Sequence, residues 1–183
     1  MGKELEILKK SFEDAAIAEN ELKKMNLYPK ECIVADFYCI PSYNFPAYYV
    51  LLYKNEIQYE IIYARNEIYN RRDSFPIKMY TFADCAEAEK HAGWHGRYIM
   101  GIKSIPDDFA KKIMSFLDAL PDIYISDRGI FLDGIFQMIR VYGDSNEKII
   151  TYRDEDKIDG LSSAQTEFGN NLYIEMAKLI EDN

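Results

Sequence analysis

A chain of 183 residues with 31 acidic and 22 basic side chains carries a net charge of −9, so it lacks the basic footprint that nucleic acid or an anionic membrane surface requires. Its apolar and charged fractions are those of an ordinary globular protein, and its length suits one domain able to bury about 70% of its unfolded surface. An acidic chain of this kind remains well matched to a basic protein partner.

Residues 3–26 place Leu5, Leu8, Phe12, Ala15, Leu22 and Met25 at helical steps, which predicts an N-terminal helix that Asn26 ends before Pro29. Its seam is too short for a coiled coil, so the helix is expected to dock on the domain rather than to form a dimer. Glu31 to Ile40 reads as a first strand, stopped by Pro41 and the turn before Pro46.

Ala47 to Arg65, AYYVLLYKNEIQYEIIYAR, reads as a β-hairpin rich in aromatic and β-branched residues. With Asn55-Glu56 as the loop, Tyr48, Val50 and Leu52 lie opposite Tyr63, Ile61 and Tyr59, making one face wholly apolar. A slip of one residue would put Gln58 and Glu60 on that face, so burial selects against it. The second face mixes Tyr49, Leu51 and Tyr53 with Ile62, Glu60 and Gln58, and is expected to leave an exposed aromatic surface.

Asn66 to Asp73 reads as a loop or short helical turn. Ile77 to Phe82 is a further strand, and Asp84 caps a short helix from Cys85 to His91. Tyr98 to Lys103 is another strand. Pro106 and Asp107-Asp108 then open a helix whose apolar residues Phe109, Ile113, Phe116, Leu117 and Leu120 share one face until Pro121 stops it. After short runs at Ile123–Ile125 and Ile130–Leu132, a second hairpin joins Ile135–Tyr142 to Lys148–Arg153 around residues 143–146. An acidic loop, Asp154 to Gly160, leads to a last helix opened by a Ser162/Gln165 capping box, with Phe168, Leu172, Met176 and Leu179 inward. Gly169 is out of place in that helix on propensity alone.

Antiparallel hairpins with helices set apart from them make an α+β fold, mainly one antiparallel sheet with helices packed on one face and helices at both ends. The whole chain, 1–183, is read as a single domain with residues 1–26 docked on it. The N-terminus is too charged for a signal-peptide core, and no run approaches the roughly 18 apolar residues of a membrane span. With the odd count of cysteines (Cys32, Cys39, Cys85) and no C-x-x-C pair, reduced thiols and a cytoplasmic location are expected.

The pattern closest to a metal site is Glu87, His91 and His95, at i, i+4 and i+8. Two imidazoles and a carboxylate are the ligands of a catalytic zinc, so a small metal-dependent hydrolase is one alternative. Gly93 between the histidines and the absence of H-E-x-x-H weigh against it, and no cofactor is expected. Asp154, Asp156 and Asp159-Gly160 superficially resemble a calcium loop, but the third aspartate is displaced and no helix–loop–helix frame surrounds it. A solvated acidic loop able to meet a basic partner is the reading kept. Cys85 has no histidine partner and reads as buried, and neither G-x-S-x-G nor a phosphate-cradling glycine motif is present. Trp94, flanked by glycines and followed by Arg97, is either a contact patch or a core plug.

Residues 129–180, with GIFLDGIFQMIRVYGDSNEKIITY followed by a C-terminal helix, are similar to the ending of several small bacterial immunity proteins of polymorphic and contact-dependent toxin systems. The resemblance implies a protein that binds one toxin domain and blocks it without doing chemistry. The leading expectation is therefore a non-enzymatic protein-binding module for a basic toxin domain, with Tyr49, Tyr53, Trp94, Arg97, Asp154, Asp156 and Asp159 as its contact residues. A regulatory or structural domain that dimerises through the N-terminal helix is a further alternative.

Overall fold

The computed structural model describes residues 2–29, 32–41, 47–66, 98–126, 135–143, 147–153 and 156–181. Along the chain run α1 (Gly2–Lys24), β1 (Ile33–Pro41), β2 (Ala47–Lys54), β3 (Tyr59–Asn66), β4 (Tyr98–Ser104), α2 (Asp107–Ala119), β5 (Ile123–Ile125), β6 (Ile135–Val141), β7 (Lys148–Arg153) and α3 (Ser163–Glu181). The expected strand Ile77–Phe82, helix Cys85–His91 and run Ile130–Leu132 lie outside the described residues.

The fold is α+β. The seven strands among the described residues form one sheet in the order β4-β3-β2-β1-β6-β7-β5, antiparallel throughout except for β5 against β7. The central strand is β1, which joins the two hairpins; the β2–β3 hairpin lies to one side of it. Ala35, Phe37 and Cys39 face one way from β1, Asp36 and Tyr38 the other, and all five are buried.

The helices cover both faces of this sheet. On one face α2 and α3 bury Ile113, Phe116, Leu117, Leu172 and Met176 against Phe37, Val50, Leu52, Ile61, Ile139 and Ile150. The expectation of helices on one face holds for these two, while α1 docks on the opposite face. There Ala15, Ala18 and Leu22 meet Tyr38, Tyr49, Leu51, Ile62 and Met138. Small residues let the α1 backbone approach the tyrosine-rich face closely, and the alanines are its contact surface as well as good helix formers. Met25, expected on the seam, is 60% exposed, because the helix has already ended.

The end of α1 has a local cause. Asn26 adopts φ 56°, a left-handed conformation asparagine tolerates. Asn26 N–H then donates to Lys23 O at 3.1 Å and Leu27 N–H to Leu22 O at 2.9 Å, the paired bonds of a Schellman motif. Leu27 joins Leu22 in the cluster beneath. At α3, Ser162 N–H donates to Gln165 Oε1 at 2.9 Å and Gln165 N–H to Ser162 Oγ at 3.3 Å, the expected reciprocal box.

The β2–β3 hairpin keeps the expected faces but not the expected register. Val50 pairs with Tyr63 and Leu52 with Ile61, two residues from the pairing read off the pattern. The loop is Asn55–Gln58, not Asn55-Glu56. Asn55 Oδ1 accepts from Ile57 N–H at 2.9 Å and Gln58 N–H at 2.7 Å, while Asn55 N–H donates to Gln58 O at 3.0 Å. An asparagine that bonds its own downstream backbone favours this longer turn. A two-residue shift leaves every side chain on its own face, so alternation cannot detect it.

Gly169 has a packing role. A methyl group built there would lie 2.8 Å from Phe116 Cε2, and Phe116 is fully buried. The Gly169 carbonyl also accepts from Tyr152 OH at 3.0 Å and Gln137 Nε2 at 3.3 Å. Glycine therefore sets how closely α3 approaches α2 and the sheet. Gly169→Ala is expected to lose about 1–3 kcal/mol from overpacking, outweighing the helix-propensity gain of up to about 1 kcal/mol. Urea unfolding measures this, and a variant as stable as the parent contradicts it.

Lys148 of β7 closes the other end of α2. Its Nζ donates to the carbonyls of Leu117, Asp118 and Leu120 at 3.0, 3.0 and 2.7 Å. Helix-end carbonyls otherwise lack partners, and a cation there also complements the helix dipole. Lys148→Met, which keeps the apolar stem, is expected to lower stability by about 1–2 kcal/mol. A thermal midpoint unchanged by the substitution would contradict it.

Candidate interaction surface

Two groups of polar side chains inside the fold bond to one another. Asp36, 1% exposed at the middle of β1, faces α1. Its carboxylate accepts from Arg140 Nε at 2.9 Å and from Arg140 Nη2, from Tyr49 OH at 2.9 Å and from Tyr142 OH at 3.1 Å. The Arg140 side chain, 20% exposed, also lies 3.9 Å from Glu19 of α1 and stacks against the rings of Phe12 and Tyr142. Burial alone would lower the Arg140 pKa, but its bonds to Asp36 and the Asp36 charge raise it above its ordinary value. Burial, and then the Asp36 charge, push the Tyr49 phenol well above its ordinary value. Glu19 and Phe12 tie the network to α1, so the helix and the ion pair hold each other in place.

A second internal cluster faces α3. Tyr48 OH donates to Glu181 Oε1 at 2.5 Å, with Arg65 Nη2 3.6 Å from the same oxygen, and the Tyr48 and Tyr173 rings lie 5.4 Å apart. Cys39 is fully buried, and burial pushes its thiol up to about 12, so it stays protonated and unreactive at neutral pH. Cys32 is exposed, and both thiols are free.

The residues expected at the surface separate sharply. Tyr49 is fully buried beneath α1 and presents no contact area, which corrects the expectation of an open aromatic face. Tyr53, half-buried at the end of β2, donates its hydroxyl to Glu60, and Gln58 Nε2 links Glu60 Oε1 at 3.2 Å to Ser104 Oγ at 2.6 Å. The bond from Tyr53 lowers the Glu60 pKa. Asp156 is buried, its Oδ2 accepting from Arg153 N–H at 3.0 Å, so it shapes the turn after β7. Asp159 is exposed beside Gly160, whose φ of 90° requires glycine. Trp94, Arg97, Asp154 and the metal candidates Glu87, His91 and His95 lie outside the described residues. Among the described residues no group of three metal-ligating side chains comes together.

The surface features missed by reading the residues are the strand edges. Ile99 and Ile102 of β4, and Ile123 and Ile125 of β5, are exposed at opposite ends of the sheet. Ile57, at the tip of the hairpin, is also exposed. Apolar alternation marks residues as strand-forming, but it does not say which strand lies last in the sheet. Asp118, Asp122 and Glu147 are exposed around the start of β5. Among the described residues no helix is long and apolar enough to cross a membrane.

No family model, curated protein or solved structure matches the chain. The architecture and the placement of these residues are therefore what bear on function.

Proposed function

We propose that this chain is a non-enzymatic protein-binding module that captures a basic partner, in the manner of an immunity protein that neutralises a toxin domain. The observation that carries the reading is the pairing of exposed isoleucines on the outermost described strands with a net negative charge. Scattered apolar residues on a surface need no explanation, but isoleucines on a terminal strand bordered by carboxylates combine contact area with charge complementarity. Apolar contacts supply affinity, and the net charge of −9 speeds encounter with a basic surface while disfavouring acidic ones.

Affinity capture from extracts of the source cells, followed by light scattering of the recovered complex, tests the reading. The expected result is one basic protein held in fixed stoichiometry, whose toxicity in a host cell is suppressed by co-expression of this chain. Recovery of no partner, together with failure to protect against a toxin encoded next door, would overturn it.

A further inference from the structure

Among the described residues β5 is the terminal strand on one side of the sheet. It pairs in parallel with β7, Asp122 O accepting from Ile149 N–H at 2.8 Å and Ser126 N–H donating to Thr151 O at 2.9 Å. Residues 122, 124 and 126 thus turn their main chain toward β7. Alternation along the strand turns the N–H and C=O groups of Ile123 and Ile125 the other way, beyond the last strand of the sheet. Among the described residues nothing pairs with them. Tyr124 packs against the core beneath α2 and α3 and anchors the strand. Ile123 and Ile125, on the opposite face, remain 69% and 38% exposed.

Open edges invite pairing, and proteins commonly guard them with charge. Among the described residues the exposed charges at the start of the strand, on Asp118, Asp122 and Glu147, have the same sign. Lys148, which follows Glu147, is occupied by the carbonyls at the end of α2. Such a guard repels a second copy of a chain with net charge −9 and attracts a cationic strand.

We infer that β5 receives an extended basic segment of the partner as an eighth strand, resting on the protein-binding function proposed above. The segment's main chain bonds to Ile123 and Ile125. Its apolar side chains at every second position lie beside the two isoleucines, and its lysines or arginines meet Asp118, Asp122 and Glu147. Main-chain pairing with alternate side-chain recognition is the general mode of strand addition.

The probe is a capped hexapeptide alternating lysine and valine, added to the full-length chain labelled for amide detection. Controls are the matching glutamate–valine peptide and a lysine–valine peptide methylated on every main-chain nitrogen. The expected result is slowed amide exchange at Ile123 and Ile125 with the first peptide only, weakened by salt. Ile125→Pro removes an outward N–H that the ladder to β7 does not use, so the fold tolerates it. That variant, checked for native near-ultraviolet dichroism, is expected to bind the peptide about tenfold more weakly.

Unchanged exchange at the two isoleucines, or equal binding of the glutamate or methylated peptides, overturns the inference. A concentration-dependent dimer abolished by Ile125→Pro makes a second copy the occupant and overturns it as well. If Ile125→Pro still captures the natural basic partner with undiminished affinity, strand addition at β5 fails while the protein-binding function stands. If the peptide docks at β5 and source-cell capture and toxin protection both fail, the function falls and the edge remains.

Discussion

Asp36→Ala is expected to lower the stability of this protein by about 3 kcal/mol, the lower end of the cost of breaking a buried ion pair. The magnitude follows from what remains. Asp36 accepts from both Arg140 donors, from Tyr49 OH and from Tyr142 OH, so removing it strands a guanidinium and two phenols beneath α1. Arg140 is 20% exposed and Glu19 lies 3.9 Å away, and this residual solvation keeps the cost from reaching about 5 kcal/mol. A double variant, Asp36→Ala with Arg140→Met, is expected to recover a substantial part of the loss, because the uncompensated charge goes with its partner. Chemical denaturation of the four members of this cycle isolates the coupling. Additive losses would show that the two groups do not act as a pair.

The second large effect is alkaline unfolding. Tyr48, Tyr49 and Tyr173 are buried, and burial is the leading reason that each phenol is held well above its ordinary value, with Glu181, Asp36 and Cys39 among the groups adding to it. A group whose pKa is higher in the folded state binds more protons there. Its stabilising contribution is complete below the unfolded value near 10 and falls as pH rises above it. Each such phenol removes about 1.4 kcal/mol per pH unit, so three together remove about 4 kcal/mol per unit. A domain with a stability of roughly 5–15 kcal/mol loses that within about one to four pH units. Titration followed at 295 nm should show these three phenols ionising in a steep step that coincides with loss of circular dichroism. A smooth titration of all 15 tyrosines with dichroism intact would contradict it.

Much of this architecture is legible in the residues, and the reasons it is incomplete are physical. Periodicity identifies the inward face of α2, and capping chemistry identifies the ends of α1 and α3, because both are local properties of the chain. Alternation places Val50, Leu52 and Ile61 in one core, yet it reports only parity, so the two-residue shift in the hairpin passes unseen. The side of the sheet taken by α1 depends on Ala15 and Ala18, whose small size matters only once a tyrosine-rich surface lies opposite. That same contact converts Tyr49 from an expected surface residue into the interior partner of Asp36. A single carboxylate within IVADFYCI and a single guanidinium within IFQMIRV were the available signals for the buried pair, since ionised groups in apolar strands require compensation. Gly169 reads as a flaw in its helix until Phe116 occupies the space beside it.

The central position of β1 has a consequence for how the chain assembles. Its β2 neighbour follows almost at once, but its other neighbour, β6, and the cation that neutralises Asp36 arrive only about a hundred residues later, with Asp36 and Arg140 separated by 104 positions. Closing so long a loop is an entropic cost that local hairpin formation does not meet. No N-terminal portion of the polypeptide that stops short of β6 holds both sides of its own middle strand. During synthesis from the N-terminus, the sheet cannot be completed around its axis until the C-terminal third emerges to supply both the missing edge and the missing charge.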